Sequence, residues 1–181
     1  KGVDEYLRNE QLLINQIRSE IGQSEQPVQD IRRLIEERKE LEKEVERLRH
    51  QQSASKLDDL LSDATEFNGI KLIVGEIAGA DMDLLKQLGY ESLEKSKKGT
   101  ITVLGARDDE AGKVYIAAAV TDDVIKEKGI KAGTLVGELG KMLGGGGGGQ
   151  PNLATAGGRN PEKLPEVLGQ IESIVKKYLE E

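Results

Sequence analysis

The chain has 181 residues, 36% apolar, 33% charged and 3% aromatic, with a net charge of −7 and neither Cys nor Trp. That length allows one large domain or two modest ones with a real core, and the missing cysteines exclude disulfide scaffolds, Cys-ligated metal sites and thiol catalysis. The acidic balance argues against a broad nucleic-acid-coating surface, though not against a small local contact.

The single histidine, His50, has no second imidazole with which to form a metal site or a relayed base, and reads as a solvated side chain on a charged helix face. No apolar run approaches the roughly 20 residues that span a bilayer, and no signal-peptide pattern opens the chain. A cytoplasmic protein with no membrane role is the expectation. Glycine divides the sequence: only Gly2 and Gly22 precede Thr65, while the other 20 of 22 follow it.

Val3, Leu7, Glu10, Ile14, Ile17 and Ile21 recur at alternating steps of four and three, the period of a helical seam. Gly22-Gln23-Ser24-Glu25-Gln26-Pro27 supplies a helix end and a helix start. A second seam follows at Ile31, Leu34, Arg38, Leu41, Val45 and Leu48, flanked by oppositely charged residues at helical spacing. Leu57, Leu60 and Leu61 extend its apolar stripe, so the second helix is expected from about Val28 to about Ala64, roughly 50 Å.

If the first helix folds back on the second as an antiparallel hairpin, Leu48, Leu57, Leu60 and Leu61 lie beyond its reach. Each contributes roughly 1.5–3 kcal/mol when buried. They need either the following domain or a second copy of the chain, and the second choice makes them dimerisation residues.

Beyond Phe67-Asn68-Gly69 the pattern becomes that of a small α/β domain. Ile70 to Ile77 reads as a strand and Asp81 to about Lys97 as a helix. Thr100 to Leu104 and Val114 to Val120 read as an antiparallel hairpin around Asp108, Asp109 and Gly112, which suits a turn better than a metal or acid–base pair. Helices are expected from a Thr121-Asp122-Asp123 cap through Lys128, from Ala132 to Leu143, and from Asn160-Pro161-Glu162 to the end. The fold class is therefore α+β. A helical hairpin or coiled-coil arm over residues 1–66 precedes a globular domain over 67–181 with a mixed sheet.

Between the last two helices lies GGGGGGQPNLATAGG, Gly144 to Gly158. Six glycines can be a flexible linker. They can also expose peptide N–H groups to a phosphate, ribose or base without side-chain obstruction. Spacing alone leaves both open. The run follows a helix instead of a strand, which excludes a dinucleotide fingerprint, and no Gly-Lys-Ser/Thr occurs.

This string, followed by a helix, resembles the end of the alanyl-tRNA synthetase family, which closes with a glycine-rich block and an Ala-x-Ala-Gly-Gly element. Gly2-Val3-Asp4-Glu5-Tyr6-Leu7 is similar to that family's exit from its editing domain, and Glu40-Leu41-Glu42-Lys43-Glu44 to the long helix that follows. The resemblance implies a non-catalytic helical piece plus a DHH-associated globular domain. Such a module promotes dimerisation, contacts the elbow of alanine tRNA and couples aminoacylation to editing.

Carried over by resemblance, the RNA contact falls on Gly144, Gly145, Gly146, Gly147, Gly148, Gly149, Gln150, Asn152, Gly157, Gly158, Arg159 and Lys141. Arg107, Lys97 and Lys98 are added by charge alone. No catalytic residue, cofactor or metal is implied here, since ATP and zinc belong to the enzyme's other domains. DHH-type phosphoesterases end in a similar domain, but their Gly-Gly-Gly-His element is replaced by Gln150-Pro151. The competing function is a purely structural oligomerisation module. Few aromatics are available (Tyr6, Phe67, Tyr90, Tyr115 and Tyr178), which disfavours a stacking platform for single strands and suits a folded RNA read by shape, hydroxyls and phosphates better.

Overall fold

A computed structural model describes residues 2–22 and 25–180. Gln23 and Ser24 of the expected turn lie outside the described residues. Two long helices come first, α1 (Gly2–Glu20) and α2 (Pro27–Ser62). The chain divides into two compact units, Lys1–Leu48 and Arg49–Glu181, with the division inside α2.

In the first unit both predicted seams are helical, but their apolar members stay open. Val3, Leu7, Ile14 and Ile17 on α1, and Ile31, Leu34, Leu41, Val45 and Leu48 on α2, are all exposed. Arg38, the basic member of the second seam, is paired along the helix with Glu42 at 2.7 Å. Pairs of this kind are solvated and contribute little.

The second unit is a six-stranded sheet between helices. Its strands are β1 (Thr65–Phe67), β2 (Ile70–Glu76), β3 (Thr100–Asp108), β4 (Lys113–Val120), β5 (Gly146–Gly149) and β6 (Leu153–Gly158), in the order β1-β2-β3-β4-β6-β5. Only β2 and β3 pair in parallel, joined by α3 (Met82–Ser96); the other pairs are antiparallel. The sheet is mixed, as the alternation of strand and helix signals predicts. Asp108 Oδ1 accepts the Ala111 N–H at 2.9 Å, which gives that acidic pair the turn role expected of it.

Side-chain alternation sorts the strands' apolar residues onto two faces. On one, Ile101, Val103, Ile116 and Ala156 meet α5 (Ala132–Met142) and α6 (Leu164–Glu180). On the other, Leu104, Ala106 and Ala117 meet Leu85 and Leu88 of α3 and Leu57 from the end of α2.

Leu57 is fully buried there, with Leu60 and Leu61 packed against the same cluster. Gly75 of β2 lies directly under the Leu60 side chain, where a Cβ would collide. This corrects the dimerisation role expected of Leu57, Leu60 and Leu61: the following domain is the surface they need. Leu48 alone of the four remains in the open seam. His50 is likewise half-buried, not solvated, with Nε2 3.0 Å from Glu91 Oε1 of α3.

A short helix, α4 (Asp122–Lys128), is fastened to the start of β3. The Thr100 N–H donates to Thr121 Oγ1 at 3.0 Å, and the Gly99 N–H donates to Asp123 Oδ2 at 2.7 Å. Burial pushes the Asp123 carboxyl up. Hydrogen bonds from the Thr121 side chain and from the Gly99, Val124 and Asp123 N–H groups outweigh it, holding the group below the ordinary Asp range.

A lowered folded pKa stabilises the fold above the unfolded value, about 3.9, and that contribution disappears as pH falls through the folded value. Asp123→Asn is therefore expected to lower Tm at neutral pH and to flatten the loss of Tm on acidification below the ordinary Asp range. Equal acid losses in the two proteins, followed by circular dichroism, would exclude this role.

Candidate nucleic-acid interface

The glycine block is not a linker. Gly146 to Gly149 form β5, the edge strand of the sheet, paired residue for residue with Gly157 to Ala154 of β6. The connecting turn is closed by the Gln150 N–H on the Leu153 oxygen at 2.9 Å. Two neighbours hold it: the Ala132 N–H donates to Pro151 O at 2.8 Å, and the Val120 N–H to Asn152 O at 2.9 Å. At the far end the Gly145 N–H donates to Gly140 O at 2.8 Å, and the Arg159 and Asn160 N–H groups share Leu143 O. Main-chain bonds at both ends fix a strand whose composition alone would not form one.

The glycines alternate in role with the pleat. At Gly145, Gly147 and Gly149 a Cβ would fall on the main chain of β6 or on Ala154 and Ala156, on the side that faces α5. These three are glycine because nothing else fits. At Gly146 and Gly148 a Cβ would meet nothing within 4 Å, and neither has a left-handed φ. The fold places no demand for glycine at these two positions, and their open side is the one flanked by α3.

Helix α3 approaches that side closely because Gly89 leaves room for Leu153 of β6. A shallow depression results, lined by Lys86 and Tyr90 of α3 and by Gly148, Gly149, Gln150 and Thr155. Beyond the turn a second depression is lined by Leu93, Lys97, Thr121, Asp122 and Asn152.

The expected site residues thus divide into two groups. Gly148, Gly149 and Gln150 gather with Lys86 and Tyr90, and Asn152 with Lys97. Gly144, Gly158, Arg159 and Lys141 sit at the other end of the hairpin, a strand length away. Gly158 packs on Leu143, where a Cβ would collide with its carbonyl, so it is glycine for the fold. Gly157 lies on the α3 side near Met82. Arg107 is occupied by Glu76 at 3.0 Å and Asp109 at 3.8 Å, which disqualifies it as a free phosphate ligand.

Lys86 and Tyr90 are the residues that sequence reasoning missed as site members. Their helical spacing was visible, but not their position over a hairpin far along the chain. Among the described residues no group of three or more His, Asp or Glu is arranged to hold a metal ion, and no helix is long and apolar enough to cross a membrane.

Residues 69–177 match the DHHA1 domain family. Alanine–tRNA ligase of Salinibacter ruber is 42% identical over 146 residues, covering 80% of this chain and 15% of that protein. The enzyme of Bacillus pumilus is 37% identical over 180 residues, covering 99% of this chain and 20% of that protein. The chain therefore spans a fifth or less of the curated relatives it matches. Among solved structures, the C-Ala domain of Aquifex aeolicus alanyl-tRNA synthetase superposes with a TM-score of 0.54 at 25% identity, over 61% of this chain and 96% of that one.

The alternation gives a direct test. Gly147→Ala is expected to destabilise the chain by about 1–3 kcal/mol, the range for forcing an atom into packed structure. Gly148→Ala should be neutral or stabilising by up to about 1 kcal/mol, because alanine loses less chain entropy. Urea unfolding of the two variants checks both, and equal effects would contradict the assignment.

Proposed function

The chain belongs to the DHHA1 domain family, in the form that alanyl-tRNA synthetases carry, and we propose that it serves such an enzyme as a non-catalytic tRNA-holding module. It matches the C-Ala portion of these enzymes and not their catalytic domain. In the proposed role the open face of β5 receives the outer corner of a folded tRNA, so that one tRNA is held for both aminoacylation and editing.

A single observation carries this reading. Gly146 and Gly148 are bare on an exposed, fixed strand although the fold would accept a side chain at either. Residues absent for no packing reason, on a surface held still at both ends, suit a ligand that must come close to the main chain. A folded RNA read by its shape, hydroxyls and phosphates is such a ligand. The net charge of −7 is compatible with it, since the contact is local and its affinity in isolation should be modest and salt-dependent. Arg159 and Lys141, exposed at the hairpin's other end, are candidates for additional phosphate contacts.

Gly148→Leu is expected to lower affinity for alanine tRNA by about ten-fold or more in filter binding while leaving Tm unchanged or raised. Unchanged affinity in a folded variant would remove the glycine face from the function.

A second observation favours self-association through the amino-terminal unit: its apolar stripes, Leu34, Leu41, Val45 and Leu48 among them, are exposed among the described residues. Four such side chains, each contributing roughly 1.5–3 kcal/mol when buried, are a strong drive to pair. Sedimentation should find the chain dimeric, and Leu34→Glu with Leu41→Glu should make it monomeric without loss of tRNA affinity per chain. A monomeric parent would rule this out, and a dimer that never binds tRNA would favour the purely structural alternative.

A further inference from the structure

We infer that one face of α3, presenting Lys86, Tyr90 and Lys97, is a second wall of the RNA site. It takes an unstacked nucleotide against Tyr90 and flanking phosphates on the two lysines. The inference rests on the tRNA-holding reading above and extends it to residues outside the glycine block.

Lys86, Tyr90, Leu93 and Lys97 follow one another at steps of four, three and four, a single stripe of the helix. All four line the two depressions that border the β5–β6 turn, Lys86 and Tyr90 on one side and Leu93 and Lys97 on the other. The lysines stand about 16 Å apart along the helix with the ring between them, so one bound stretch of backbone can reach both.

Three properties separate this stripe from an ordinary solvated face. Tyr90, at 44% exposure, is the one large apolar or aromatic side chain of the second unit left open among the described residues. It faces the main chain of Gly148 and Gly149 across the depression, leaving the ring accessible. One such ring suits one flipped base of a folded RNA, whereas a stacking platform for single strands would need several.

Next, neither Lys86 nor Lys97 enters any ion pair among the described residues, whereas neighbouring Lys95 is held by Asp58 at 2.6 Å. Finally, Lys97 ends α3 with φ +57°, in the left-handed region where glycine is favoured. Its N–H closes the last turn on Leu93 O, so the fold accounts for the backbone, and the choice of lysine over glycine there sets a cation beside the polar depression.

The test titrates the 181-residue chain with alanine tRNA at several salt concentrations. Lys86→Gln and Lys97→Gln are each expected to weaken binding and to lower the slope of log affinity against log salt by about one. Tyr90→Ala should lose about ten-fold, and Tyr90→Phe should retain parental affinity. Lys97→Gly supplies a readout that a structural lysine would not give: Tm rises as the backbone relaxes while tRNA affinity falls.

Parental affinity and salt slope in all these variants, together with a loss in Gly148→Leu, would exclude α3 and leave the glycine face standing. No binding of tRNA by the parent chain would overturn both readings.

Discussion

Main chain lying directly on main chain is the constraint on which the carboxy-terminal half of the molecule depends. Helix α5 comes down on β5 and β6 where Gly140 faces Ala156 and Gly146, and β5 lies against β6 where Gly145 and Gly147 have no room for a side chain. Without these bare contacts the hairpin could not share hydrogen bonds at both of its ends, and its outer face would have no fixed position. Binding surfaces lose affinity when they must be ordered first. Here the ordering is already done by the fold.

The helical parts were legible because periodicity is a strong signal, and α2, α3, α5 and α6 fall close to their expected spans. β1, β5 and β6 were not. Gly146 to Gly149 carry no strand preference, and Leu153 to Gly158 are too small to show alternation, so the strands exist through pairing with neighbours that a linear reading cannot locate. The fate of Leu57 was legible only as a choice, since an apolar stripe shows that a partner is needed without showing which. The structure supplies it in Leu85, Leu104 and Ala117. His50 was missed for the same reason: Glu91 is on another helix.

The candidate site was half legible. Composition marked the glycine run as unusual and the family resemblance supplied a ligand, but neither could separate the glycines that pack from those that do not. That distinction follows from the pleat, which turns alternate residues toward α5 or away from it. It also reorganises the charges. Arg107 is neutralised by Glu76, while Lys86 and Lys97 are drawn to the hairpin by the close packing of α3. A chain with a net charge of −7 can in this way hold a small cationic strip.

The open edge of β5 has a further consequence. An unpaired edge strand is a template on which other chains can polymerise, and proteins blunt such edges with charge, proline or bulges. β5 has none of these within it, being four glycines. A strand without side chains offers no dry, interlocking surface to a second sheet, and Pro151 stands two residues beyond its end, where the strand cannot lengthen. The bareness proposed to admit a polynucleotide thus also leaves an edge with no side chains for a second sheet to interlock with.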